Sequence, residues 1–247
     1  MSRYFLLILV VVGFNKVIVG QSVKRVYFKD SIHSLERVKP KKITTKSCIS
    51  IDPPSDAIVL FNGTNLDAWE GDFRLDNNHI VVQKGGLTSK EKFRDIQLHL
   101  EWKINDTLIA NGQKGVNSGV FLMNLYEIQI LESHLNETYA DGQAGAIYGQ
   151  FPPLVNASLP QGQWNSYDII FKAPVYIKGT LIEKASATVL HNGIVVQNNQ
   201  EFEGPTKYKE VTSYPNEHPE KGPIFLQYHG DPIEYRNIWV RKLDGNP

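Results

Sequence analysis

From Asp95 to Ile104 the chain alternates without a break: Ile96, Leu98, Leu100, Trp102 and Ile104 are apolar, while Gln97, His99, Glu101 and Lys103 between them are polar. A period of two describes a strand with one face buried, and it excludes a helix at that place. No stretch of about a dozen residues carries the 3.6-residue period that a helix needs. Apolar runs over 57–61, 79–83, 116–123, 125–131, 164–172, 185–191, 194–197, 224–229 and 233–242 are separated by Gly, Pro and Asn turns. Asn192-Gly193 between two of these runs is the strongest short hairpin signal, and a second hairpin is expected around Asn124. Strands throughout, punctuated by turns, predict an all-β sandwich or barrel: one domain of two packed antiparallel sheets.

The ends of the chain read differently. Arg3 precedes the apolar run Phe5–Phe14, whose ten residues would rise only about 15 Å as a helix, half of a bilayer core. A positive start, a short apolar run and a small residue before polar sequence describe an export signal over 1–20, cut at Gly20-Gln21. Secreted or periplasmic placement is expected, with no integral membrane span after cleavage. Residues 21–56 are basic, lack periodicity and contain Pro40, Pro53 and Pro54; they read as a poorly ordered linker. The domain is expected over 57–243.

Charge narrows the function. The whole chain balances 26 basic against 26 acidic residues, yet from residue 50 onward 16 basic face 24 acidic, a net of about −8. An acidic globular part argues against a nucleic-acid partner. The single cysteine, Cys48, excludes an internal disulfide and any cysteine-rich metal site. HExxH, GxSxG and GxxxxGK[ST] are all absent from the sequence. The seven histidines form no close ligand pair, so no cofactor is expected, and a divalent metal would have to be gathered from distant segments.

Two strings carry candidate chemistry. In Tyr126–Glu132 (YEIQILE), Ile128 and Ile130 point to the core, so Glu127 and Gln129 project together from the other face. Glu132 would join them only through a bulge near Leu131. Glu127 and Glu132 could then serve as a carboxylate pair for glycosidic cleavage. In Phe225–Gly230 (FLQYHG), Gln227 and His229 share a face, and histidine is the side chain best suited to proton transfer near neutral pH. Arg236 and Asn117 add polar groups, and Tyr148 and Trp164 are aromatic surfaces on which a sugar can stack. Taken one at a time, each string also fits a plain solvated strand face.

Together the strings resemble a known family. Phe61–Trp69 (FNGTNLDAW), Asn117–Leu122 (NSGVFL), Tyr126–Leu131 (YEIQIL), Gly145–Gly149 (GAIYG), Gly222–Gly230 (GPIFLQYHG) and Tyr235–Ile238 (YRNI) resemble, in order, the motifs of the 3-keto-disaccharide hydrolase domain. The resemblance runs from about residue 57 to 243. It departs at Glu132, where aspartate is usual, and at Met123, where a basic residue is common. The resemblance implies a jelly roll of the concanavalin A-like, laminarinase-like kind and an exported enzyme acting on sugars oxidised at carbon 3. A ketone there acidifies the hydrogen on carbon 2, so the bond at carbon 1 can break by elimination followed by addition of water. That chemistry calls for a base, an acid and a stabiliser of the enolate. The resemblance implies His229 or Glu127 as base, Glu132 or Tyr148 as acid and Arg236 as stabiliser, with Asn117, Gln129, Tyr148, Trp164 and Gln227 binding the carbohydrate. An ordinary retaining glycosidase using Glu127 and Glu132, and a non-catalytic carbohydrate-binding module, remain open.

Overall fold

The computed structural model describes residues 32–244. Eleven strands form one continuous antiparallel sheet: β1 Ile58–Phe61, β2 Trp69–Asp76, β3 His79–Phe93, β4 Ile96–Ile104, β5 Asn117–Leu122, β6 Tyr126–Leu131, β7 Trp164–Lys172, β8 Ser186–His191, β9 Ile194–Glu201, β10 Gly222–Leu226 and β11 Ile233–Lys242. The order across the sheet is β9-β8-β7-β4-β11-β3-β10-β5-β6, with β1 added to β11 and β2 to β3. The two expected sheets are therefore two layers of one sheet that folds over on itself.

The fold-over happens in β3. Its first half pairs with β11 (Tyr235 opposite Ile80) and its second half with β10 (Phe225 opposite Thr88). Between them lie Gly85 and Gly86, at φ 103° and 75°, in the left-handed region that glycine enters without strain. The sequence suggested that a strand ends at this pair; the strand instead bends there and passes from the back layer (β9-β8-β7-β4-β11) to the front layer (β10-β5-β6). A Cβ on Gly86 would meet the Phe225 ring, so the bend also brings the backbone close under that ring.

The core lies between the layers. Leu98, Leu100, Trp102, Tyr167, Ile169 and Val189 of the back layer meet Val120, Leu122, Ile128, Ile130 and Leu226 of the front, all buried. Two tyrosine hydroxyls that enter this core are paired across it. The Tyr167 hydroxyl donates to the Gln129 carbonyl at 2.7 Å, and the Tyr235 hydroxyl lies 2.8 Å from Ser118 Oγ. Both hairpins form as the sequence indicates. Asn192 and Gly193 take φ of 52° and 76°, the left-handed pair of a type I′ turn, and Met123 and Asn124 do the same at 55° and 58°.

Residues 32–56 are not the loose linker that the composition suggested. They form a strap that wraps the sandwich from front to back. Lys41–Lys42 pairs in parallel with Val155–Asn156, and Ile43 packs on the core. Further along, Asn237 Nδ2 donates to the Ile51 carbonyl at 3.0 Å, and Asp56 receives Arg241 at 2.7–2.9 Å. The basic residues that looked like a solvated run are partly spent on docking: Arg37 reaches Asp141 and Lys42 reaches the His134 carbonyl. The export segment lies outside the described residues. Among the described residues, no helix is long and apolar enough to cross a membrane.

Candidate functional site

The front layer turns one face to the core and the other outward. On β6, Tyr126, Ile128 and Ile130 face inward, so Glu127 and Gln129 face out. On β5, Val120 and Leu122 face inward, leaving Asn117, Gly119 and Phe121 beside them. On β10, Leu226 faces inward, and Gln227 follows it on the outward side with its amide bonded to the Gly119 carbonyl at 3.0 Å. Gly119 is opposite Gln129 in the register and is flanked by Gln227 on the other side. Four of the expected residues, Glu127, Gln129, Asn117 and Gln227, thus share one outward face.

Glu127 is the least ordinary of them. Its residue is buried, and its carboxyl has no hydrogen-bond partner among the described residues. It lies over Gly119: a Cβ added there would meet the Glu127 carboxyl, with Cγ at 2.8 Å. The glycine of the NSG string is therefore a space requirement of the glutamate, since its own φ is unremarkable. Burial with no compensating charge pushes the Glu127 carboxyl up to about 8. A carboxyl of that kind holds its proton at neutral pH and can donate it. Gln129 next to it spends its amide on Gln113 Oε1 (3.1 Å), Asn117 Oδ1 (3.4 Å) and the Gly142 carbonyl (3.3 Å). Its own Oε1 is buried and unpartnered, an acceptor left open.

The free edge of β6 is closed by a loop. Tyr148 N donates to the Glu127 carbonyl at 3.3 Å, Gly145 N to the Gln129 carbonyl at 2.9 Å, and a 3-10 turn at Ala140–Gly142 follows Tyr139. The Tyr148 hydroxyl is 3.0 Å from that of Tyr139. Burial, then the charge of Glu127, raise Tyr148, while the Tyr139 hydrogen bond opposes them; the balance leaves it at about 12.

Other expected residues sit elsewhere. β5 and β6 run in register from Leu122–Tyr126 to Asn117–Leu131 with no bulge, so Glu132 falls beyond the strand instead of swinging round. There its carboxylate accepts the backbone N–H of His134, Leu135 and Asn136 at 2.7–3.3 Å. It caps a turn, and the expected pairing with Glu127 is absent. Arg236 lies on the outer face of the back layer, because its neighbour Tyr235 and the facing Trp102 both point into the core. It donates to Glu101 Oε2 at 2.6 Å and stacks on Trp164 at 4.1 Å from the ring centre. Arg236 and Trp164 therefore belong to the opposite side of the sandwich from Glu127. The expected convergence fails because the alternation that places Glu127 outward on one layer places Arg236 outward on the other. His229 stands exposed in the turn after Gln227.

Gln113, Tyr139 and Asp141 border this site, and no sequence pattern points to them. They sit in loops without periodicity; contacts with Gln129 and Tyr148 identify Gln113 and Tyr139, and the Gly149 N–H bond to its carbonyl identifies Asp141. Among the described residues, no group of three His, Cys, Asp or Glu side chains could hold a metal ion.

Comparison with known proteins gives the family of the chain. The chain is 25% identical over 263 residues to the 3-keto-disaccharide hydrolase of Bacteroides thetaiotaomicron, covering 83% of this chain and 85% of that protein. A solved structure of a candidate glycosyl hydrolase from Parabacteroides distasonis shares 40% identity at a TM-score of 0.73, over 77% of this chain and 85% of that one. A second candidate glycosyl hydrolase from the same organism, 19% identical with a TM-score of 0.54 over 76% of this chain and 94% of its own, shares the fold. Residues 56–241 match the 3-keto-alpha-glucoside-1,2-lyase-like domain, and the chain belongs to that family.

Proposed function

We propose that this protein cleaves the glycosidic bond of 3-keto-glycosides, with Glu127 as the proton donor. The coarser part of that reading, a carbohydrate hydrolase, follows from the family and its relatives. The finer part rests on one observation: a buried carboxyl, unpaired, raised to about 8, on the outward face of a strand. A group that is protonated at pH 7 is an acid and not the base that the sequence also allowed. In the proposed reaction a base removes the hydrogen on carbon 2, and its electron pair moves into the carbon 3 carbonyl as an enolate. The enolate collapses to expel the group on carbon 1, whose oxygen takes the Glu127 proton. Water then adds across the carbon 1–carbon 2 double bond.

His229, exposed in the turn three residues past the strand that borders Gly119, is the base candidate. The open Gln129 Oε1 offers an acceptor for a sugar hydroxyl. The paired-carboxylate alternative loses its second member, because Glu132 is committed to three backbone N–H groups. Export belongs to the same proposal and rests on the sequence of residues 1–20; a mature chain beginning near Gln21 is the expected product.

The test is incubation with a 3-keto-glucoside, its unoxidised parent and an insoluble glucan. Cleavage of the first alone supports the proposal. Cleavage of the parent as well indicates an ordinary glycosidase, and retention on the glucan without turnover indicates a binding module.

A further inference from the structure

The strap begins, within the described residues, by placing His33 against the aromatic edge of the candidate site. Its ring stacks on Tyr139, with centroids 4.0 Å apart and planes 14° from parallel. Tyr148 lies 5.1 Å away and Tyr208 5.8 Å. A flat ring thus occupies a three-tyrosine recess whose Tyr148 backbone is bonded to Glu127.

That seat fits histidine poorly. Among the described residues neither ring nitrogen has a hydrogen-bond partner, though both are buried. A buried polar atom without a partner is unfavourable, and histidine brings two of them here. The backbone adds strain, since His33 sits at φ 56°, in the left-handed region. What keeps it there lies alongside. His33 N donates to Asp141 Oδ2 at 3.1 Å, and Arg37 donates to the same oxygen at 3.2 Å and to the Gln150 carbonyl at 3.0 Å. An ion pair anchors a segment whose tip is mismatched to its pocket.

We propose that the recess of Tyr139, Tyr148 and Tyr208 is a sugar-ring subsite, and that His33 fills it as a displaceable plug until a carbohydrate takes its place. A pyranose presents one apolar face to stack on Tyr139, and hydroxyls at its rim that the paired Tyr139 and Tyr148 hydroxyls can bond. It would meet polar partners where the imidazole meets none. The subsite adjoins Glu127 and deepens the reading above by naming where a second sugar unit lies and what regulates access to it. The measured affinity of such a site is lowered by the fraction of molecules in which the plug is out.

The experiment uses the full chain with methyl α-D-glucoside and trehalose as binding probes, followed by calorimetry. His33→Gly removes the ring and relieves the left-handed strain. Arg37→Gln leaves the recess untouched and loosens the anchor. Both are expected to bind at least one probe about tenfold more tightly than the unmodified chain, and Tyr139→Ala in the His33→Gly background should abolish the gain. Limited trypsin digestion of the unmodified chain supplies a second readout, in which saturating probe should speed cleavage after Arg37 several-fold. Unchanged or weaker binding in both variants overturns the proposal, as does probe that protects Arg37. The outcome is independent of turnover. If the variants bind sugar more tightly while no 3-keto-glucoside is cleaved, the subsite stands and the reaction falls. If turnover is found and binding is unmoved, the reverse holds.

Discussion

Glu101 and Glu127 begin from the same position and end as opposites. Each lies on a strand facing away from the core, each is buried, and each is a carboxylate that the β-alternation would have sent to solvent. On the back layer the strap covers Glu101 and surrounds it with partners. Burial by itself would raise Glu101, but His99, Asn237, the Ser50 N–H and Arg236 outweigh it and hold the carboxylate down at about 2. His99 in turn is bonded to Asp168 at 2.7 Å; burial lowers it, the two carboxylates outweigh burial, and it rests at about 8. On the front layer Glu127 has only burial. Burial without partners leaves a group able to exchange a proton, while burial with partners locks one in place. By that criterion the back cluster is a structural clamp, although its Asp-His pair superficially suggests a relay, and the front face is where chemistry is available.

The largest expected effect breaks the comparison on the front. Glu127→Gln keeps the shape above Gly119 and removes the proton donor, so turnover of a 3-keto-glucoside should fall about 100-fold or more. Melting temperature at pH 7 should hold or rise, because no described residue pairs with that carboxyl. Gly119→Ala should lower turnover by a similar factor through the crowding of Glu127. Full activity in Glu127→Gln would return the residue to a packing role.

Next comes the back. Glu101→Leu removes the acceptor of Arg236, Asn237 and Ser50 and leaves buried donors behind. A loss on the order of 3 kcal/mol is expected in denaturant unfolding, with activity per folded molecule within twofold. A specific loss of turnover without destabilisation would make the clamp catalytic.

The pH dependence of stability sharpens the contrast, since the two carboxylates have opposite signs. Glu101, at about 2 in the fold against an ordinary 4.5, stabilises above pH 4.5, and that contribution disappears as pH falls through about 2. His99, at about 8 against 6.5, stabilises below pH 6.5 and loses that contribution as pH rises through about 8. Glu127 keeps in the fold a proton that the unfolded chain has lost, so it erodes stability as pH rises from 4.5 to about 8. Thermal melts from pH 5 to 8 should therefore decline more steeply for the unmodified chain than for Glu127→Gln. Turnover should also fall as pH rises through about 8. Parallel melting curves would show that Glu127 is not held protonated.

Much of this was legible in the sequence, and the omissions share a cause. Alternation gave the inward residues of β4 and β6 and the outward direction of Glu127 and Gln129 correctly. What it cannot supply is which layer a strand joins, because period two defines a face relative to the local sheet and not relative to the molecule. Two outward residues can therefore be on opposite sides of a sandwich, as Glu127 and Arg236 are. The bend in β3 was misread for a related reason: a Gly-Gly pair signals a turn and a sharply bent strand alike. The strap was missed because its order comes from contacts more than a hundred residues away, such as Arg37 with Asp141, and not from any local pattern.

Glu132 gives the smallest effect and the finest discrimination between the two uses of a carboxylate. It lies one residue past β6 and five residues beyond Glu127 in sequence, but in space its two oxygens serve the turn at His134–Asn136. Glu132→Gln keeps one acceptor oxygen and loses the charge, so it should destabilise by about 1 kcal/mol, the scale of a lost cap. Glu132→Asp shortens the reach by one methylene but keeps both oxygens, and should cost less. Turnover per folded molecule is expected to stay within threefold in both. A 100-fold loss in Glu132→Gln at unchanged stability would mean that the turn opens in the working enzyme and delivers a second carboxylate to the site, restoring the paired-carboxylate mechanism that the resting geometry argues against.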